Sequence, residues 1–225
     1  VEPSTVNPDP TTLKPGQFIR FTDKDGSFPE ISLTLQWKPA NASVWRELQE
    51  LYRHGSTSGD LDLSAIAHVA TVRGIVTGTN RHWGPIRHSG DNLTGHRFLL
   101  GWLRNKPGQE ILTINLADLN PSTSVVFTIT SNAYLPISRF PDVQCDLSIR
   151  LGDPDDSEDS VLHTLETGVN EYDTAAIMAK LSYQDNAWVL EAVRDTGLGH
   201  TAQDLLDNHS FDEAGEDFPN PTEYF

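Results

Sequence analysis

The chain has 225 residues and a formal net charge of −16, from 16 Lys and Arg against 32 Asp and Glu. That balance excludes a nucleic-acid partner, whose phosphates require a basic footprint, and it favours divalent cations. The length suits one sizeable domain, and the lone Cys145 excludes both an intrachain disulfide framework and a Cys-rich zinc site.

Residues 1–12 carry Pro, Thr and Asn without periodicity and read as an N-terminal arm. Gln17 to Phe21 reads as a first strand. Asp23-Lys24-Asp25-Gly26 starts like a calcium loop but lacks the later ligands and the closing Glu, so it reads as a turn. Ile31 to Lys38 alternates without a fault, with Ile31, Leu33, Leu35 and Trp37 on one side, and Pro39 ends this half-buried strand. From Ala42 to Arg53 the period changes. Val44, Leu48 and Leu51 fall at helical spacing, Ser43 can cap the start and Gly55 lies past the end. This predicts a short helix, serving as a lid or, through Trp45 and Tyr52, as a subunit contact.

Two oxygen-rich motifs follow. In Gly59-Asp60-Leu61-Asp62-Leu63-Ser64 alternate side chains carry oxygen, so an extended backbone projects Asp60, Asp62 and Ser64 together. Leu63 to Val76 gives two strands, or one bent strand, around Arg73-Gly74. In Arg87-His88-Ser89-Gly90-Asp91-Asn92-Leu93-Thr94-Gly95 two glycines bracket a carboxylate, a side-chain carbonyl and a hydroxyl. Glycine permits φ > 0, which lets neighbouring oxygens converge. Oxygen-rich clusters without paired Cys or His suit a hard cation, Ca²⁺ before Mg²⁺. His82 and His88 beside Asp91 are also ingredients of a Zn²⁺ site or a general base. Neither a zinc-type His spacing nor a nucleophile motif accompanies them.

Ile111 to Leu116, Val125 to Ser131 and Cys145 to Leu151 read as further strands, and the acidic run Gly152 to Asp159 as a solvated loop. Thr174 to Tyr183 has helical propensity, but Gln184-Asp185-Asn186 ahead of Trp188-Val189-Leu190 favours a hairpin. Thr201 to Asp207 reads as a short terminal helix capped by Thr201, and residues 208–225 as an acidic tail carrying four aromatic residues. No apolar run reaches transmembrane length, and the start of the chain shows no signal pattern, so a cytoplasmic location is expected. Short strands, close-spaced turns and few helices predict an all-β fold, an antiparallel β-sandwich with a short inserted helix.

These motifs occur in an order that resembles the tellurium-resistance TerD domain family, calcium-binding stress proteins of bacteria. Leu13-Lys14-Pro15-Gly16-Gln17, the strand ending in Trp37, Asp60 to Ser64 and His88 to Gly95 carry the likeness. So do Glu110 to Leu116, Val126 to Ile129 and Trp188 to Val193, over a span from Leu13 to Leu206. The resemblance implies a β-sandwich domain over residues 13–207 that binds Ca²⁺ through Asp60, Asp62, Asp91 and Asn92. Ser64, Thr94 and Glu110 are second choices, and backbone carbonyls near Gly90 and Gly95 complete the shell. Family members carry further acidic residues where this chain has Ser56-Thr57-Ser58 and His96 to Leu100, so a second ion is not carried over. Arg97 beside the site is placed to substitute for a cation. The expectation is a binding or scaffold module with no catalytic residues, with a structural subunit of a larger or homo-oligomeric assembly as the alternative.

Overall fold

The alternation of Ile31, Leu33, Leu35 and Trp37 with polar neighbours becomes a strand buried on one side, Glu30–Trp37, in the computed structural model. The structure describes residues 11–22, 28–38, 61–69, 71–90, 95–99, 102–106, 108–131, 136–140, 142–150, 160–167, 171–199, 201–202 and 204–205. The predicted helix over 42–53 and the acidic run at 152–159 lie outside these residues. In chain order the strands are β1 (Thr11–Leu13), β2 (Phe18–Thr22), β3 (Glu30–Trp37), β4 (Leu61–Val69) and β5 (Val72–Val76). Next come β6 (His82–Trp83), β7 (Ile86–His88), β8 (Gly95–Leu99), β9 (Trp102–Lys106) and β10 (Gly108–Asn115). The last are β11 (Thr123–Ser131), β12 (Gln144–Arg150), β13 (Ser160–Leu165), β14 (Ala175–Gln184) and β15 (Ala187–Gly197).

They form a seven-stranded sheet in the order β1-β13-β12-β3-β10-β7-β6 and a six-stranded sheet in the order β2-β15-β14-β11-β4-β5. β8 and β9 pair as a separate ribbon. Among the described pairs β1–β13 is parallel, and the others are antiparallel. The alternating apolar residues of the two large sheets meet in one core, in which Trp37, Trp188 and Phe127 are fully buried. Each such side chain contributes about 1.5–3 kcal/mol through area removed from water. Trp188 also joins the sheets by hydrogen bonding, its indole N–H donating to the Leu116 carbonyl at 3.1 Å. The antiparallel β-sandwich expected from the sequence is therefore the fold.

Local chemistry explains most boundaries. Asp185 and Asn186 both adopt positive φ, 49° and 60°, the geometry a two-residue hairpin needs, so Thr174 to Tyr183 contributes a strand and not a helix. At Thr201 a helical turn opens with reciprocal capping: Asp204 N–H donates to Thr201 Oγ1, and Thr201 N–H to Asp204 Oδ2. One expectation moves. β4 ends at Val69 and β5 begins at Val72, and Gly74 sits inside β5 opposite Ala67. The reason is packing: a Cβ at Gly74 would overlap the Trp83 indole.

That contact matters for the site. β5 and β6 are edge strands of opposite sheets, and the chain crosses between them through a turn at 77–80. Thr77 N–H donates to the Asn80 carbonyl, and Thr77 Oγ1 accepts from the N–H groups of Thr79 and Asn80. No helix among the described residues is long and apolar enough to cross a membrane.

Two outcomes follow from this packing. Gly74→Ala is expected to destabilise the fold by about 1–3 kcal/mol, as overpacking does, and pairing it with Trp83→Leu should recover part of the loss. Urea titration of the single and double variants measures both. Cys145 is fully buried in β12, and burial first, then the neighbouring Asp146 charge, pushes its thiol from an ordinary 9.0 up to about 12. Between those values the unfolded chain releases a proton that the folded chain keeps, so stability falls as pH rises from 9.0 towards about 12. Cys145→Ala removes that part of the decline, which urea midpoints taken across this range for both proteins will show.

Candidate metal centre

At one end of the β4–β5 edge the two sheets are joined by polar groups. β5 pairing stops at Val76 opposite Ala65, and Leu63 lies two residues further along β4. Leu63 N–H donates to Glu110 Oε2 at 2.7 Å, and the Leu63 carbonyl lies 2.9 Å from His88 Nε2. Glu110 on β10 and His88 on β7 belong to the opposite sheet, so two side chains continue the ladder that β5 leaves unfinished. Both side chains are wholly buried, and His88 Nε2 stands 3.4 Å from Glu110 Oε2.

The hydrogen bonds fix the imidazole. Gly90 N–H donates to His88 Nδ1 at 2.9 Å, so that nitrogen bears a lone pair and the proton sits on Nε2. Nε2–H then donates to the Leu63 carbonyl. The ring is neutral in this arrangement, and its approach to Glu110 is a dipole contact, not an ion pair. With both nitrogens engaged, His88 offers no lone pair to Zn²⁺ and none to a substrate proton. His82 is exposed on β6, paired with Arg87.

The base of the glycine-bracketed loop is equally tied. Ser89 N–H donates to the Ile111 carbonyl at 2.9 Å, while Ile111 N–H donates to Ser89 Oγ at 3.0 Å. His88 N–H donates to the Arg81 carbonyl at 3.0 Å. Gly90 takes φ +106°, a conformation that disfavours any side chain, and a Cβ there would come within 2.6 Å of Arg81 Cζ. Arg81 Nε donates to the Gly78 carbonyl, which lays the guanidinium along this stretch of backbone.

Of the residues expected to bind a cation, Asp62, Ser64 and Glu110 are described; Asp60, Asp91, Asn92 and Thr94 are not. Asp62 and Ser64 share one face of β4, as alternate positions must. Their register partners Thr130 and Thr128, and the next pair Ile66 and Val126, show which face it is. Ile66 and Val126 pack with Ile177 and Ala202 on the outer side of the six-stranded sheet, while Leu61 and Leu63 enter the core. Glu110 reaches the Leu63 backbone from the core side, whereas Asp62 and Ser64 both lie on the far face of β4. Among the described residues no group of three or more His, Cys, Asp or Glu forms a metal-binding cluster. What they provide is a frame: Leu61 follows Asp60, Gly90 precedes Asp91, and both segments are fastened around the Glu110 carboxylate. Sequence reasoning missed the roles of His88 and Arg81, since neither residue type in its local setting signals a through-space partner.

A family profile described as TerD domain matches residues 10–209 of the chain. No curated protein and no solved structure gives a significant match.

Removing the carboxylate tests whether it joins the sheets. In metal-free buffer Glu110→Ala is expected to cost about 1–3 kcal/mol, because Leu63 N–H loses its buried acceptor, and Glu110→Gln should cost less. Urea denaturation in EDTA gives both values, and an unchanged Glu110→Ala midpoint would deny the carboxylate a joining role.

Proposed function

The chain belongs to the TerD domain family, whose profile spans most of its length, and from that premise we propose that it is a Ca²⁺-binding β-sandwich of the tellurium-resistance and stress-response type. It works as a binding or scaffold module and not as an enzyme. The observation that carries this reading is the convergence of three sequence-distant segments on one buried carboxylate. Leu63 beside Asp62, His88 at the mouth of the Asp91 loop, and Glu110 on β10 all meet there.

In this reading Asp60, Asp62, Asp91 and Asn92 supply side-chain oxygens. Thr94, Glu110 and Ser64 contribute where the backbone brings them near, and carbonyls around Gly90 and Gly95 fill the remaining positions. Ca²⁺ accepts about 6–8 oxygens in flexible geometry, so ligands drawn from loops and strand ends suit it better than Mg²⁺. The ion would supply charge compensation among these carboxylates. The engaged nitrogens of His88 support the non-enzymatic side of the proposal, because they remove a candidate general base. A cytoplasmic location accompanies it, in keeping with a free thiol at Cys145.

Excess CaCl₂ over EDTA is expected to raise the melting midpoint by roughly 5–10 °C if the ion reaches about a hundred times its dissociation constant. Calorimetric titration should show Asp91→Ala weakening Ca²⁺ uptake far more than Asp156→Ala, which removes a charge from the acidic run. An unchanged midpoint, or equal losses in the two variants, would defeat the calcium reading.

A further inference from the structure

The six-stranded sheet ends at β2, and the register shows which backbone groups that edge leaves over. Its neighbour β15 turns back on β14 through Asp185 and Asn186, so Ala187, Val189 and Glu191 bond towards β14. Trp188 and Leu190 therefore bond towards β2, as Ala192 does when its N–H donates to the Gln17 carbonyl. This turns the backbone of Ile19 and Phe21 inward. The N–H and C=O groups of Phe18, Arg20 and Thr22 point away from the sheet, and among the described residues nothing bonds to them. Natural edges are guarded by brevity, bulges or charge. β1 and β6 have only three and two residues, and β5 carries Gly74 at its centre, with no room for a side chain beside Trp83. β2 has five residues and one charge, and that charge is drawn back over β15. Arg20 Nη2 donates to the Gln184 carbonyl at 3.4 Å and lies 3.8 Å from Asp185 Oδ2. Phe18, at the head of the open row, is 58% exposed.

We propose that β2 is a self-association edge, on which β2 of a second copy pairs antiparallel across a twofold axis. Donors and acceptors recurring along a strand edge are answered by another extended backbone. Outward residues must meet outward residues, so a twofold pairing that uses more than one of them per copy is centred on Ile19, Arg20 or Phe21. Centring on Arg20 opposes two like charges, and centring on Phe21 carries Phe18 past the end of the strand. Centring on Ile19 sets each Phe18 opposite Arg20 of the second copy, whose stem and guanidinium cover the ring. Both residues then exchange backbone hydrogen bonds on either side of the axis. Ile19, which packs against the core, meets Ile19 of the second copy on the inner side. The chain thus supplies the complement to its own edge, and the contact is independent of the calcium reading.

Sedimentation equilibrium from about 1 µM to about 1 mM is expected to show a monomer–dimer equilibrium, weak because an edge covers less than a standard interface of roughly 1,600 Å². Each copy carries a formal charge of −16, so added NaCl should strengthen it. Phe18→Lys is expected to weaken the dimer at least about tenfold, although it reduces the net negative charge that opposes association. Val72→Lys makes the same charge change at an equally exposed residue of the β5 edge and should leave dimerisation unchanged. A monomer throughout the range, or a dimer that both variants weaken alike or neither weakens, would overturn the proposal. If a variant does not fold, amide hydrogen exchange of the wild type decides. Phe18 and Arg20 N–H groups that gain protection with concentration support the edge contact, and exchange there that ignores concentration overturns it.

Discussion

A carboxyl group with no exposed surface must be answered by hydrogen-bond partners, and Glu110 has one on the opposite sheet and His88 on its own. Burying a polar group unaided costs free energy, so its partners have to be in place when the fold closes. Leu63 N–H is one, and it is available because β5 ends two residues too early to pair with it. The need is mutual: a strand edge has an unused donor and acceptor, and the facing sheet has a carboxylate and an imidazole. Apolar contacts hold the sheets together without favouring one alignment strongly, whereas these directional bonds select the register of β4 against β7 and β10.

The same edge is closed from the other side by shape. Gly74 leaves room for the Trp83 indole, and the turn at Thr77 to Asn80 brings the chain from one sheet to the other. β6 and β7 then return as a hairpin whose Arg81 carbonyl receives His88 N–H. By the time the chain leaves Gly90 its direction is set by bonds to Arg81, Ile111 and Gly90's own neighbour His88.

How much of this was legible depended on whether the signal was local. The Ile31 to Trp37 alternation, the Asp185-Asn186 turn and the shared face of Asp62 and Ser64 all follow from backbone periods and turn chemistry. β1 was hidden inside a stretch without periodicity, because its parallel partner β13 lies about 150 residues away in the chain. Gly74 gave the wrong local signal. Glycine ordinarily marks a turn, and here it marks where an indole meets a strand. His88 read as a possible ligand or base on residue type alone, since its partners are 25 residues upstream and across the sandwich. Glu110 entered the candidate set only through resemblance, and nothing in its neighbours on β10 announces the bond to Leu63.

The position of the proposed centre also bears on how an acidic chain could be selective. With a formal charge of −16 the molecule attracts cations over its whole surface, and that attraction is long-ranged, screened by salt and indifferent to the ion's identity. Selectivity requires oxygens whose spacing does not adjust to whatever arrives. In the proposed site, strand ends from two sheets would meet that requirement, because the core that aligns the sheets also sets the spacing. Leu63 shows the coupling most directly, with its side chain in the core and its backbone in the clasp. Whatever shifts the packing around Leu63 must therefore shift Glu110 and His88 as well, so the clasp is a property of the sandwich.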